Sequence, residues 1–203
     1  MSAVISATEI EPVILHFGPF MQRMSDHEFY DFCRRNQDWR IERTAEGDLL
    51  IMSPTGGGTG HRNATLTRLF GNWVEADGSG LDFDSSTTFS LPNGAQRSPD
   101  VSWVRRERWE ALSEDEREEF PPLCPDFIIE LRSRSDPLKM LRQKMQEYLE
   151  QGTQLGWLID PFRRKVHIYR PDHPVEILDQ PESVSGDPLL PGLTLPLAKI
   201  WRS

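Results

Sequence analysis

The chain has 203 residues and a net charge of −9, with 37% hydrophobic and 27% charged residues. This length suits one globular domain with a sizeable core, and the acidic balance argues against indiscriminate nucleic-acid binding while leaving room for a local basic patch. Because the first twenty residues lack a signal-peptide pattern and no apolar run approaches the roughly 18–20 residues of a membrane span, we expect a cytoplasmic protein with no membrane partner.

The N-terminal quarter is predicted to contain an arm, a helix and a hairpin. Residues 1–20 carry little pattern and are expected to form a flexible arm. Ser25 and Glu28 form a capping box, which predicts the start of a short helix. The segments 39–44 and 48–52 predict two strands, joined by a hairpin turn at "AEG".

A glycine-rich stretch, "SPTGGGTGH" at residues 53–61, precedes a helix predicted over about residues 60–76. It does not match the phosphate-binding loops of nucleotide-binding proteins. A P-loop ends in Gly-Lys-Ser/Thr, but Gly60 is followed by His61 and Arg62. A dinucleotide fingerprint needs a glycine where His61 stands. The stretch is therefore interpreted as a connector or as a mobile loop beside a site.

The remaining elements complete a layered fold. The patterns predict strands over 81–91, 99–104 and 125–131, an acidic surface helix over 107–120, a helix that starts at Ser135-Asp136-Pro137 and ends near Gln151, and a final hairpin of "LGWLID" and "KVHIYR". This order of helices and strands predicts one α/β (α+β) domain over residues 21–203, in which helices flank a mixed central sheet.

Two carboxylates stand on strands that we expect to be central in this sheet. Glu130 follows the apolar run Phe127–Ile129, and a carboxylate buried there costs several kcal/mol unless an ion pair, a raised pKa or a metal ion compensates it. If the strand of Asp100 is its neighbour, the two carboxylates lie roughly 5 Å apart. Their repulsion would favour a cation between them, and oxygen ligands suit Mg²⁺ above all.

Cationic side chains are also available near Glu130. Lys144 lies at the edge of the apolar stripe of the 137–151 helix, from which its stem could reach the end of the preceding strand. Arg132 shares a strand face with Glu130 by alternation. An ion pair of Glu130 with Arg132, Arg134 or Lys144 is therefore the alternative to metal binding.

A series of short motifs runs through most of the chain in a characteristic order. They are "MSPTG" with His61, Ser98-Pro99-Asp100-Val101, "PDFIIEL" at 125–131 with Ser133, then Lys144, Tyr148, Gly152, "WLIDP" and the closing "LLPGLTLPL". In order and spacing these motifs resemble the Uma-type ("Uma-two") restriction endonuclease-like proteins of the PD-(D/E)XK nuclease superfamily. The resemblance covers about residues 20–200 and implies a restriction-endonuclease-like core with the carboxylates on its central strands.

The resemblance also implies a set of metal ligands. Asp100, Glu130 and the main-chain carbonyl of Leu131 would bind Mg²⁺, with Mn²⁺ as a substitute. A further acidic residue often comes from the N-terminal region of such proteins, and Glu42 is the best match in this sequence.

The catalytic lysine is expected at an unusual place. In the superfamily it usually stands two residues after the glutamate, where this sequence has Arg132. Uma-type proteins take the lysine from the following helix, which points to Lys144. Asp100, Glu130 and Lys144 are thus the catalytic candidates, and Arg132 and His61 are accessory candidates.

These residues lead to one hypothesis and two alternatives. The hypothesis is a Mg²⁺-dependent endonuclease that hydrolyses DNA, acting as a homodimer or higher homo-oligomer because cutting both strands usually requires two active sites. The first alternative, favoured by Arg132 and the net charge of −9, is a catalytically silent nuclease fold that binds or interacts with a partner. The second is a metal-dependent hydrolase of a substrate smaller than DNA.

Overall fold

Two β-sheets, a short β-ribbon and seven helices form residues 13–202, the part of the chain that this computed structural model describes. In chain order the elements are β1 Val13–Leu15, α1 Pro19–Gln22, α2 Asp26–Arg35, β2 Arg40–Arg43, β3 Leu49–Met52, α3 Gly57–Asp77, β4 Gly80–Asp84, β5 Phe89–Ser90, β6 Gln96–Arg97, β7 Val101–Arg105, α4 Arg106–Glu110, α5 Glu114–Glu118, β8 Phe127–Leu131, α6 Leu138–Glu150, β9 Leu155–Asp160, β10 Lys165–Tyr169, β11 Glu176–Asp179, β12 Ser183–Ser185, β13 Thr194–Pro196 and α7 Ala198–Trp201. This architecture confirms the predicted mixed sheet flanked by helices.

The larger sheet has six strands in the order β11-β10-β9-β8-β7-β4. Only the β8–β9 pairing is parallel, and α6 connects these two strands, as a parallel crossover requires. Every residue of β8 is buried, which explains why its sequence is an almost continuous apolar run. The one charged residue of β8, Glu130, therefore lies in the middle of the fold.

The two faces of β8 pack against different layers. Phe127, Ile129 and Leu131 belong to the apolar core that contains the buried side of α3. Ile128 packs instead with residues of α6, among them Tyr148. Because alternate residues of a strand share a face, Glu130 points with Ile128 toward the α6 side.

The smaller sheet, in the order β1-β3-β2-β6-β5, brings two further charged residues toward α6. Glu42 lies on β2, which pairs with β3 in the predicted hairpin, and Arg97 lies on β6. Both side chains are buried, at 1% and 7% exposure. This sheet is held by its own apolar cluster, which includes Phe29 of α2 and Ile41 of β2.

Two predicted elements are interrupted, and local hydrogen bonds explain both breaks. The single helix predicted over 107–120 is wrong: α4 and α5 are separate, because Ser113 and Glu116 form a second capping box that starts α5. The strand predicted over 81–91 is divided between β4 and β5, which belong to different sheets. At the break, Asp84 accepts a backbone N–H from two residues further along and turns the chain.

The predicted start of α6 is also wrong, although the helix itself is present. Pro137 is the N-cap residue and α6 begins at Leu138, so Ser135 does not cap the helix. Instead, the carboxylate of Asp136 accepts the backbone N–H of Ser133 at 2.8 Å and closes a turn before the helix. The capping box of α2 at Ser25 is confirmed.

The predicted N-terminal arm is described only from residue 13 onward, and residues 1–12 lie outside the described part of the chain. Between residues 13 and 20 the prediction of a free arm is wrong. β1 pairs with β3 at the edge of the smaller sheet, in the register Val13 with Ile51, and α1 begins at Pro19. Among the described helices, none is both long and apolar enough to cross a membrane.

Candidate active site

A cavity of about 980 Å³ lies beside the carboxyl end of β8. Its walls come from the β2–β3 hairpin, the glycine-rich stretch at 53–61, the residues around the end of β8, and α6. The interpretation of that stretch as a connector or loop is wrong from Gly57 onward, where α3 begins. The side chains that line the cavity include Glu42, Asp100, Glu130, Leu131 and Lys144. The structure thus gathers in one cavity the five residues predicted to bind metal or to take part in catalysis.

Asp100 and Glu130 face each other across neighbouring strands. β7 and β8 are antiparallel, with Val101 opposite Ile129, so continuing the register by one residue sets Asp100 opposite Glu130. One oxygen of Asp100, Oδ2, accepts the backbone N–H of Leu131 at 2.8 Å. The expectation that the strands of these two carboxylates are neighbours is therefore confirmed.

Glu130 is only 4% exposed and has partners from α6. Its Oε1 lies 2.8 Å from Nζ of Lys144 and accepts the hydroxyl hydrogen of Tyr148 at 3.2 Å. Burial is the main cause that raises the pKa of Glu130 to about 7, opposed by Lys144 and reinforced by Asp100 and Glu42. Burial likewise raises the pKa of Asp100. Two adjacent carboxylates with raised pKa values favour a cation between them.

Lys144 lies between two buried carboxylates. Its Nζ is 2.8 Å from Oε1 of Glu130 and 2.8 Å from Oε1 of Glu42, and 3.5 Å from the carbonyl oxygen of Ser98. Burial would lower the pKa of Lys144, but the two carboxylates outweigh burial and raise it. The ammonium group therefore stays charged at neutral pH.

Glu42 uses both of its carboxylate oxygens within the protein. Oε1 accepts hydrogen bonds from Lys144 and from the backbone N–H of Ser98 at 3.0 Å, and Oε2 accepts one from Nη1 of Arg97 at 3.2 Å. Burial would raise the pKa of Glu42, yet Lys144 and Arg97 hold it at about 2. Glu42 is thus arranged to hold two cationic side chains.

Sequence analysis missed the residues that complete this network. Arg97 donates from Nε to Oε2 of Glu147 at 2.6 Å, and Glu147 also accepts from Asn93 at 3.1 Å. Glu147 stands three residues after Lys144 on α6, a spacing that could have marked both as neighbours on one helix face. No comparable pattern in the sequence points to Arg97.

Asn63 is a second missed residue, and here the sequence held a signal. It donates from Nδ2 to Oδ1 of Asp100 at 3.0 Å and lines the cavity. Asn63 stands three residues before Leu66 and seven before Phe70, so it continues the buried stripe of α3. His61, the predicted accessory residue, is exposed on the same helix and does not line the cavity.

Arg132 does not join the Glu130 carboxylate among the contacts of the described residues. Its Nη1 lies 3.0 Å from Oδ2 of Asp160, which is fully buried, and its Nε donates to the carbonyl of Asp136 at 3.2 Å. Because a buried carboxylate needs a cationic partner, Asp160 holds Arg132 away from Glu130. The expectation that Arg132 shares the site of Glu130 is wrong.

The oxygen atoms around Asp100 and Glu130 fit a hard divalent cation. Within residues 13–202, Oδ1 of Asn63, beside Asp100, is buried without a hydrogen-bond partner. Leu131 lines the same cavity. Carboxylate and carbonyl oxygens are the ligands that Mg²⁺ and Mn²⁺ prefer. The described residues contain no group of three or more His, Cys, Asp or Glu side chains placed to hold a metal ion, so the ligands from this chain would be two carboxylates and a main-chain carbonyl. Both oxygens of Glu42 already accept hydrogen bonds from the protein.

Comparison with known proteins gives the family. Residues 26–198 match the Uma2 family, described as "Putative restriction endonuclease". The chain belongs to this family. The fold resembles the crystal structure of a "putative nuclease belonging to DUF820" from Anabaena variabilis ATCC 29413, with a TM-score of 0.69 and 22% identity over 79% of this chain and 89% of that one. No curated protein matches the sequence. The predicted family and the predicted mixed sheet flanked by helices are thus confirmed.

Proposed function

We propose that this protein is a Mg²⁺-dependent endonuclease that hydrolyses phosphodiester bonds of DNA. One observation carries the proposal: two buried carboxylates, Asp100 and Glu130, lie opposite each other in a cavity, with the ammonium group of Lys144 2.8 Å from Glu130. Membership of a family described as restriction endonucleases supports the same chemistry.

Asp100, Glu130 and the carbonyl of Leu131 would hold the metal ion. When bound, Mg²⁺ polarises a phosphodiester oxygen and lowers the pKa of a water molecule. Glu130 must be ionised to serve as a ligand, so the site is filled more readily as the pH rises past the pKa of about 7. The N–H of Leu131 and the amide of Asn63 fix the orientation of the Asp100 carboxylate.

Lys144 supplies positive charge at the reacting phosphate. Because its pKa is raised, it acts as a charged hydrogen-bond donor, which orients the attacking water or stabilises charge that grows on the phosphate. Glu42 positions Lys144, and Arg97 in turn holds Glu42 and Glu147. In this proposal Glu42 is a positioning residue, in place of the metal ligand that the resemblance implied.

The direct test is cleavage of plasmid and linear DNA in the presence of Mg²⁺ or Mn²⁺. We expect nicked or linear products from the wild-type protein and none from the purified Asp100→Ala variant. Equal cleavage by both proteins would identify the activity as contamination and overturn the proposal. Light scattering on the same samples tests the expected homodimer or higher homo-oligomer.

The second candidate is a nuclease fold that binds a partner without turnover. The observation that favours it is the ion pair of Lys144 with Glu130, which already compensates the buried carboxylate. Calorimetric titration with Mn²⁺ separates the two candidates. Heat that disappears in Glu130→Gln supports the endonuclease, whereas the absence of heat from the wild type supports the silent fold.

A further inference from the structure

An exposed aromatic ring surrounded by arginines lies at one end of the cavity. Phe162, in the turn between β9 and β10, is 38% exposed and lines the cavity wall. Three guanidinium groups lie within 6 Å of its ring centroid: Arg134 at 5.2 Å, Arg132 at 5.8 Å and Arg62 at 5.9 Å. These four residues are called the Phe162 platform below.

Buried groups hold the platform in place. The fully buried carboxylate of Asp160 accepts the backbone N–H of Phe162 at 3.0 Å and that of Arg163 at 3.1 Å through Oδ1. Its other oxygen binds Arg132, so one side chain fixes both the turn and the first arginine. Arg62 is anchored separately, since its Nε donates to the carbonyl of Ile200 at 2.9 Å. Hydrogen bonds therefore hold the backbone of the turn that carries Phe162, together with two of the guanidinium groups, before any ligand binds.

The three arginines of the platform concentrate guanidinium groups around one exposed ring. Asp160 pairs with Arg132, and the carboxylate of Asp136 accepts the backbone N–H of Ser133. Elsewhere the cavity wall carries six further carboxylates: Glu42, Glu46, Asp48, Asp100, Glu130 and Glu147. Burial lowers the pKa of Arg62, and repulsion by the nearby charge of Arg134 lowers it further. In a cavity that is otherwise rich in carboxylates, the guanidinium groups around Phe162 are the part of the wall suited to phosphate groups.

We propose that the Phe162 platform holds a strand of nucleic acid with unpaired bases as it enters the cavity. Aromatic rings and arginine planes bind unpaired bases by stacking, while guanidinium groups bind the phosphates between them. Within a duplex the base faces are covered by neighbouring pairs, so a side chain can stack on a base only after it is unpaired or extruded.

The burial of Glu130 also favours a single strand over a duplex. Glu130 is 4% exposed, so a phosphate must enter the cavity to reach it. A volume of about 980 Å³ lies at the upper end of the range for small-molecule sites, about 300–1,000 Å³. Such a space suits a few nucleotides of one strand better than a duplex. That a strand held there is subsequently cut rests on the proposed function.

The test is equilibrium binding of a fluorescent single-stranded DNA of about 15 nucleotides and of the duplex with the same sequence, measured by anisotropy in EDTA. Wild-type protein should bind the single strand more tightly. Phe162→Ala should weaken single-strand binding about 10-fold, because stacking on one base is worth about 1–3 kcal/mol, and Phe162→Trp should restore it. Arg134→Ala should weaken binding and reduce its salt dependence by about one phosphate contact.

Two matched variants serve as controls outside the cavity wall. Phe20→Ala removes another exposed phenylalanine, and Arg68→Ala removes an exposed arginine of α3. Both should bind like the wild type, and circular dichroism should show that every variant is folded. Tighter binding of the duplex, or equal single-strand affinity in Phe162→Ala and wild type, would show that the Phe162 platform does not bind unpaired bases.

This experiment is independent of cleavage. Because it is performed in EDTA, it measures binding of the strand without any cleavage. Cleavage with no preference for single strands would leave the endonuclease proposal standing and overturn the platform. Single-strand binding that depends on Phe162, in a protein that cuts nothing, would support the platform and overturn the endonuclease proposal.

Discussion

The two faces of β8 differ in what they bury. On one face, Phe127, Ile129 and Leu131 pack into an apolar core that stabilises the sheet. On the other, Glu130 lies among charged partners and keeps a raised pKa. One strand therefore combines residues that stabilise the fold with a carboxylate whose burial costs free energy. The apolar face makes it possible to hold a destabilising group in a fixed place, which is a common property of functional sites.

The largest effect is expected from Glu130→Gln, which removes the carboxylate from the charged side of β8. We expect cleavage to fall by about 10²–10³-fold or more, the size of effect seen when one key charge-stabilising group is removed. The free energy of unfolding at pH 8 should rise, because the raised pKa of Glu130 means that folding disfavours its ionised form, and Lys144 keeps Glu42 as a partner. Plasmid cleavage and urea unfolding measure the two quantities, with the exposed Glu118→Gln as the control. Full cleavage by Glu130→Gln would contradict the assigned role.

The pH dependence of stability sharpens the same comparison. In the metal-free protein the pKa of Glu130 is raised from 4.5 to about 7, so folding favours the protonated form. The resulting stability is fully present below pH 4.5 and is lost as the pH rises to about 7. The loss should amount to about 3 kcal/mol relative to Glu130→Gln, since each pKa unit corresponds to about 1.4 kcal/mol. The measurement is the free energy of urea unfolding of both proteins at several pH values from 5 to 8. If that free energy changes with pH equally in the wild type and in Glu130→Gln, the pKa of Glu130 is not raised by folding.

Lys144→Met tests the role of the ammonium group that contacts Glu130. Methionine retains most of the volume and removes the ammonium group, so cleavage should fall by about 10²-fold. The affinity for Mn²⁺ should not fall, because Lys144 competes with the metal for Glu130. The exposed Lys139→Met on the same helix is the matched control. Unchanged cleavage in Lys144→Met would show that Lys144 takes no part in the reaction.

The smallest effect is expected on the apolar face. Ile129→Val removes one methyl group from a fully buried side chain and should lower the free energy of unfolding by about 0.5–1.5 kcal/mol. Cleavage should remain at the wild-type rate below the unfolding transition. If Ile129→Val instead lost cleavage while keeping its stability, the two faces of β8 would not have separate roles.

Local sequence patterns predicted the part of the site that lies on regular elements. The apolar run of β8 identified a buried strand with Glu130 near its end. Helical spacing then placed Lys144 near the same point. Arg132 was assigned wrongly because it follows the last residue of β8, where the alternation of faces ends and the buried Asp160 attracts it.

The rest of the site depends on contacts between distant segments. Arg97 forms hydrogen bonds with Glu42, 55 residues earlier in the sequence, and with Glu147, 50 residues later. No local sequence pattern predicts contacts over such separations. The Phe162 platform likewise joins α3, the turn after β8 and the β9–β10 turn. These residues look like ordinary exposed turns and helix starts until the fold brings them together.

The most direct test of the account is a crystal structure of the protein soaked in Mn²⁺, with the ion located by anomalous scattering. We expect one ion in the cavity, about 2.0–2.3 Å from oxygen atoms of Asp100, Glu130 and the Leu131 carbonyl, with Lys144 still bound to Glu42. If no ion is found there, and Lys144 remains the only cation at Glu130, the site is a structural ion pair and the endonuclease proposal is wrong.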